Sequence, residues 1–278
     1  MTTLVTGGTG FVAGWCIAEL LDRGHTVRTT VRDARRAAQV RAVAGDRGEE
    51  LEVVVADLMC DDGWAAAVDG CEQVLHVASP MGEGAEPKDP DVLIRLAREG
   101  TLRVLRAAVE AAVPRVVMTS SCAAATPRPG TDGEFDETLW TDPDQRGLDT
   151  YRRSKAIAER AAWDFMAERG GATTLTTVLP GAVFGPVRSA GTTGSVDVIG
   201  RMLRGMPGVP RIGLTSSMCG ISPTCTSAPR PTRRLRESDS SPSATSCGCR
   251  RWPTSFGPGS ARPRSACRGG PCPTPRCG

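Results

Sequence analysis

The sequence predicts an α/β fold, a doubly wound parallel sheet with helices on both faces. Short apolar runs bounded by turn residues alternate with helical patterns from Thr3 to Leu179. Such alternation implies right-handed crossovers between parallel strands. A glycine-rich turn joins the first run to the first helix, which is how sheets of this class bind phosphates. A third observation sets a limit: apolar periodicity stops near Leu214.

The elements read in order as follows. Thr3–Thr6 is a strand, and Phe11–Arg23 a helix ended by Gly24. Thr26–Val31 is the second strand, and Arg35–Ala44 reads as a helix. Leu51–Ala56 and Gln73–Ala78 are the third and fourth strands. Val92–Ala112 is a long amphipathic helix stopped by Pro114. Arg115–Thr119 is the fifth strand, Tyr151–Arg169 a helix and Thr173–Leu179 the sixth strand. No repeat of solenoid period is present.

The net charge of +3 gives no reason to expect a nucleic-acid partner. No basic, apolar leader opens the chain and no run is long enough to span a bilayer, so a cytoplasmic protein without membrane contact is expected. Cys16, Cys60, Cys71 and Cys122 lack metal spacing and read as reduced thiols used as small apolar fillers. The other seven of the 11 cysteines fall after Leu214 without histidines, so no metal site is expected. In that tail Glu237 and Asp239 are the only acids, and Arg, Pro, Ser and Cys dominate. Such composition cannot bury enough apolar surface to offset its ordering entropy. Residues 1–214 are therefore expected to form the domain, and 215–278 a disordered tail.

The turn Gly7-Gly8-Thr9-Gly10 precedes Phe11-Val12-Ala13-Gly14. Gly7 permits the tight turn, and Gly10 lets a pyrophosphate approach the backbone. The helix start supplies free N–H groups and a positive dipole end. Ala13 takes the third small position, where glycine is commoner. The pattern predicts a Rossmann-type dinucleotide site. At the tip of the second strand, Arg32 is read as the ligand of a 2′-phosphate, with Arg28 assisting from the same strand face, which implies NADPH. The competing reading gives Asp33 the ribose and makes the cofactor NADH. Asp57-Leu58, after the third strand, is placed for the adenine edge, although Asp57 also suits a helix cap.

Tyr151 is the only tyrosine, and Lys155 lies one helical turn on. A phenol of pKa about 10 is a poor proton donor near neutrality. A neighbouring ammonium is expected to lower that value, letting Tyr151 protonate a carbonyl oxygen as hydride reaches carbon. Ser120 and Ser121 follow the fifth strand, where a hydroxyl can orient the carbonyl. His25 reads as a surface loop residue and His76 as a satisfied core imidazole. The Gly-x-Ser-x-Gly elbow of a hydrolase is absent.

The segments VTGGTGFVAGW, HTVRTTVRD, VVVADL, VLHVASPM, RVVMTSSCAAA, DETLW, YRRSKAIAERAAW and VLPGAVFGP occur in that order. Together they resemble the extended short-chain dehydrogenase/reductase family, in its dihydroflavonol 4-reductase-like branch within the NAD-dependent epimerase/dehydratase superfamily. The resemblance implies NADPH-dependent reduction of a ketone or aldehyde to an alcohol. It selects Ser121 over Ser120 and makes Ser121, Tyr151 and Lys155 catalytic. It also implies that Pro180, Gly181 and Val183 line the nicotinamide site and that Ala78, Ser79 and Pro80 lie near the cofactor and substrate mouth. The full expected cofactor set is Thr6, Gly7, Gly10, Phe11, Val12, Arg32, Asp57, Leu58, Val77, Ala78, Ser79, Tyr151, Lys155, Pro180, Gly181 and Val183, beside a small-molecule carbonyl substrate. A nucleotide-sugar epimerase or dehydratase using bound NAD shares the cradle and the Tyr–Lys pair, but Arg32 argues against it. A third alternative is a truncated dinucleotide binder without activity.

After Leu214 the family would continue with a segment like FVDVRDxADLH, but the chain reads Ser216-Ser217-Met218-Cys219-Gly220-Ile221-Ser222-Pro223-Thr224-Cys225-Thr226. Read one base earlier, Met then Cys forces a Val codon, and the whole segment permits FVDVRDIADLH. Leu235–Pro242 likewise permits AGERFLA. A frameshift near 214–216 that replaced the substrate region is the expectation.

Overall fold

The computed structural model describes residues 1–80, 89–133, 135, 136, 138–188, 195–205, 216–218 and 248–251. Nine strands and six α-helices occur among them: β1 (Thr2–Val5), α1 (Phe11–Asp22), β2 (Thr26–Val31), α2 (Ala37–Ala44), β3 (Glu52–Val55), α3 (Trp64–Val68), β4 (Gln73–His76), α4 (Pro90–Glu110), β5 (Arg115–Thr119), α5 (Thr150–Arg169), β6 (Thr174–Leu179), β7 (Ala182–Phe184), α6 (Val196–Leu203), β8 (Ser216–Met218) and β9 (Gly248–Arg251).

The main sheet has the order β3-β2-β1-β4-β5-β6-β9. Its first six strands pair in parallel, with Leu4 opposite Arg28 and Val74, and Leu75 opposite Val117. The order in which strands are added reverses between β1 and β4, the switch point at which such sheets place ligands. The interior strands are buried on both faces, so they read as continuous apolar runs. On one face Leu4, Val74, Val116 and Met118 pack against Trp64, Leu105, Ala108, Ala162 and Trp163 of α3, α4 and α5. On the other face Val5, Val27, Leu75 and Val117 pack against Ile17, Leu21 and Val40 of α1 and α2.

Several expectations shift. β1 and β4 end before Thr6 and Val77, which lie in the loops at the switch point. The helix expected over Arg35–Ala44 opens as a 3-10 turn at Ala34–Arg36, capped by the Asp33 side chain, before α2 begins. The five-residue α3 was too short to show helical periodicity. The expected domain boundary at Leu214 and most of the 215–278 tail lie outside the described residues. Two tail segments within them are strands: β8 pairs in parallel with β7, and β9 adds antiparallel to β6. Cys16, Cys71 and Cys122 are free thiols, but Cys60 is disulfide-bonded, which corrects the expectation of four reduced cysteines. Cys60 sits in a part-exposed loop, whereas Cys16 and Cys71 are buried. No described helix is long and apolar enough to cross a membrane.

Candidate active site

A groove of about 730 Å³ runs along the carboxyl ends of the strands, from the glycine turn to α5. That volume lies within the range of small-molecule sites.

The turn at its floor is built around missing side chains. Gly7 holds φ +72°, and a Cβ there would lie 2.9 Å from that of Ala78. Its N–H donates to Thr30 Oγ1 at 2.9 Å. Gly10 begins α1 with no side-chain cap, and no acidic residue occupies the first turn. The first N–H groups of α1 thus face the groove without a carboxylate competing for them, which suits an anion. The residues present fit a dinucleotide diphosphate. Phe11, Val12 and Ala13 line this end of the groove.

Thr6, expected among the cofactor ligands, does not line the groove. It is fully buried, and its hydroxyl accepts from the N–H groups of Val77 (3.1 Å) and Ala78 (3.0 Å). With both lone pairs occupied, it donates to His76 Nδ1 at 3.0 Å, which makes that nitrogen the acceptor of a neutral imidazole. Burial, reinforced by the positive charge of Lys155, pushes His76 down to about 3. Thr6 and His76 therefore shape the β4 loop from beneath.

Arg32 lines the groove and Asp33 does not. The Asp33 carboxylate caps the following turn through Arg35 N (2.9 Å) and pairs with the Arg35 guanidinium (2.6 Å). Arg28, expected to assist Arg32, is a correction. Its Nη1 donates to the carbonyls of Ala67 (3.1 Å) and Asp69 (2.6 Å), and its Nε pairs with Glu52 (2.8 Å). Four residues back along an extended strand is over 10 Å from the tip, and there Arg28 ties β2 to the end of α3. Asp57 and Leu58 line the groove. The alternative reading of Asp57 as a helix cap is a correction, because its carboxylate accepts from Met59 N (3.0 Å) within a turn and the next helix, α3, starts after Gly63.

At the far end Tyr151, Lys155, Ser121, Val77, Ala78, Ser79, Pro180, Gly181 and Val183 converge. Tyr151 Oη donates to Ser121 Oγ at 3.3 Å. Ser121 also caps a short 3-10 turn by accepting from Ala123 N. The neighbouring Ser120 hydroxyl is turned away to Glu159. Lys155 Nζ donates to Ser79 Oγ at 3.4 Å and lies 5.9 Å from the centre of the Tyr151 ring. Burial pushes the Lys155 amine down to about 8, against the opposing pull of Glu159. The phenol departs from expectation. Burial holds Tyr151 above its ordinary value, and the Ser121 hydrogen bond only partly offsets this. Lys155 bonds Ser79 and the phenol bonds Ser121, so the ammonium and the phenol are not hydrogen-bonded to one another here.

Sequence reasoning missed Thr30, Met59, Leu96, Ser195 and Asp197, which also line the groove. Only Thr30 falls within a quoted segment, HTVRTTVRD. Thr30 could have been found from strand alternation, since it shares a face with Arg32. Among the described residues, no group of three or more His, Cys, Asp or Glu is placed to hold a metal.

The family model for the NAD dependent epimerase/dehydratase family matches residues 3–216. Cinnamoyl-CoA reductase 1 of Petunia hybrida is 38% identical over 207 residues, which are 72% of this chain and 60% of the relative. Dihydroflavonol 4-reductase of Zea mays is 38% identical over 198 residues, covering 68% of this chain and 54% of the relative. Vestitone reductase from alfalfa (Medicago sativa L.) superposes with a TM-score of 0.63 at 30% identity, over 78% of this chain and 69% of that one. The chain thus spans a little over half the length of these curated relatives. With its strand order and glycine turn, the match over residues 3–216 shows that the chain belongs to the NAD dependent epimerase/dehydratase family.

Proposed function

We propose that this fold serves NADPH-dependent reduction of a ketone or aldehyde to an alcohol. The observation that carries it is the Tyr151–Ser121 contact, with Lys155 one turn on, at the end of a groove that begins on the glycine turn. The names of the three relatives described above, each a reductase, support the reaction type.

Arg32 in the groove, with Asp33 committed to Arg35, favours a 2′-phosphate over a free ribose hydroxyl. A nicotinamide dinucleotide held along the groove, from the glycine turn to Tyr151 and Lys155, would supply the hydride. Ser121 orients the substrate carbonyl by hydrogen bonding its oxygen. Tyr151 gives the proton, and its raised value keeps that proton in place through neutral pH. Lys155, an ammonium below about pH 8, stabilises the phenolate left behind.

The chain as written is proposed to bind the cofactor without completing a substrate pocket. None of the residues of α6 is buried, and the family match ends at residue 216. Loss of the covering region admits water and leaves the carbonyl unpositioned. A frameshift near 214–216 is the proposed origin, and sequencing an independent clone across this point tests it. Titrating the purified chain with NADPH and then a panel of aldehydes and ketones tests the rest. Binding without turnover is expected here, with turnover once the alternative frame is restored. A restored chain inert toward every carbonyl counts against the reductase reading.

A further inference from the structure

Glu159 is fully buried, and no step above uses it. Its Oε2 accepts from Ser120 Oγ, and its Oε1 from Thr177 Oγ1 (2.9 Å) and Trp163 Nε1 (3.5 Å). Ser120 follows β5 and lies next to Ser121, Thr177 is on β6, and Trp163 is one turn further along α5. Removing a carboxylate from water costs several kcal/mol, and three donors with a nearby cation offset that cost. One turn back on the same helix face lies Lys155, whose charge Glu159 stabilises.

We propose that Glu159 is a positioning residue. Its carboxylate clamps α5 to the body of β6 and to the residue that follows β5, and supplies the countercharge that keeps Lys155 an ammonium beside the groove. Two distances depend on this clamp: the reach from Ser121 on the strand side to Tyr151 on the helix side, and the place of Lys155 between them. Among the described residues, the titratable groups placed near Lys155 are Glu159 and Tyr151 on its own helix and His76 on β4. His76 is neutral across the working range, so Glu159 is the negative charge that opposes burial at Lys155. The inference rests on the reading of Lys155 as a catalytic group.

Lys88 and Lys155 are the only lysines in the chain. Labelling lysine with 13C and 15N therefore gives two side-chain signals, and the midpoint of Lys155 can be followed against pH. Glu159→Gln is expected to lower that midpoint by about one unit or more. A folded Gln variant with an unmoved midpoint overturns the proposal, because a purely structural role would change only thermal stability. Should the Gln variant not fold, two measurements remain. Glu159→Asp, which retracts the charge, is expected to move the midpoint the same way, and no movement overturns the proposal. The unaltered chain is expected to titrate near 8. A midpoint at or below about 6, where buried lysines without a countercharge fall, also overturns it. Adding NADPH to the unaltered chain tests the underlying reading separately. A displaced Lys155 signal supports it, and an unmoved one removes Lys155 from the site whatever Glu159 does.

Discussion

Helices α5 and α6 border the same groove, and they are built differently. α5 buries Ser154, Ala156, Ala158, Glu159, Ala162 and Trp163 against the sheet and α4, while its first turns carry Tyr151 and Lys155. None of the residues of α6 is fully buried, although Val198, Ile199, Met202 and Leu203 make it apolar; Leu203 is 83% exposed. The cofactor side of the groove is supported by residues already present. The proposed substrate side is bordered by a helix with no fully buried residue. This difference is why we separate binding from turnover.

Breaking the comparison begins at α5. In the frame-restored chain, Tyr151→Phe should lower the reduction rate by about 10²–10⁴-fold, as for loss of a general acid. The dissociation constant for NADPH, followed by cofactor fluorescence, should stay nearly unchanged. Ala162→Asp places an unpaired charge in the core and should cost about 3–5 kcal/mol in urea unfolding. Gly7→Ala forces a Cβ toward Ala78 at φ +72°. It should weaken NADPH binding and cost about 1–3 kcal/mol. Arg32→Ser should weaken NADPH at least about tenfold by calorimetry and leave NADH nearly unaffected. Leu203→Asp on α6 should change the stability of this chain by less than about 0.5 kcal/mol, as at any exposed site. A large loss there would mean that α6 packs as firmly as α5.

A pH profile sharpens the same contrast. His76 has its folded value lowered from 6.5 to about 3, so between those values the unfolded chain holds more protons. Stability should therefore fall as pH drops from 6.5 toward 3, with a slope approaching about 1.4 kcal/mol per unit. Denaturant unfolding of the unaltered chain and of His76→Gln, whose curve should be flatter there, checks this.

Much of this was legible in the sequence, for identifiable reasons. Gly7, Gly10 and the helix after them form a local pattern, and Tyr151 and Lys155 are fixed one turn apart by helix geometry. Arg28 was misread because alternation gives the face of a strand but not the distance from its tip. The raised phenol was missed because burial is a tertiary property that outweighs a sequence neighbour. β9 was missed because Gly248–Arg251 carries no apolar alternation, and its partner lies some 70 residues upstream. Glu159 drew no reading from the sequence, because Ser120, Thr177 and Trp163 meet around it only in the fold.

Because Tyr151 is the only tyrosine, its ionisation can be read in the unaltered chain by ultraviolet difference titration. We predict one tyrosinate transition above the ordinary value in the free chain, moved downward by saturating oxidised NADP, whose ring brings positive charge. A transition at the ordinary value that the dinucleotide leaves in place would put the phenol outside the site and contradict the account.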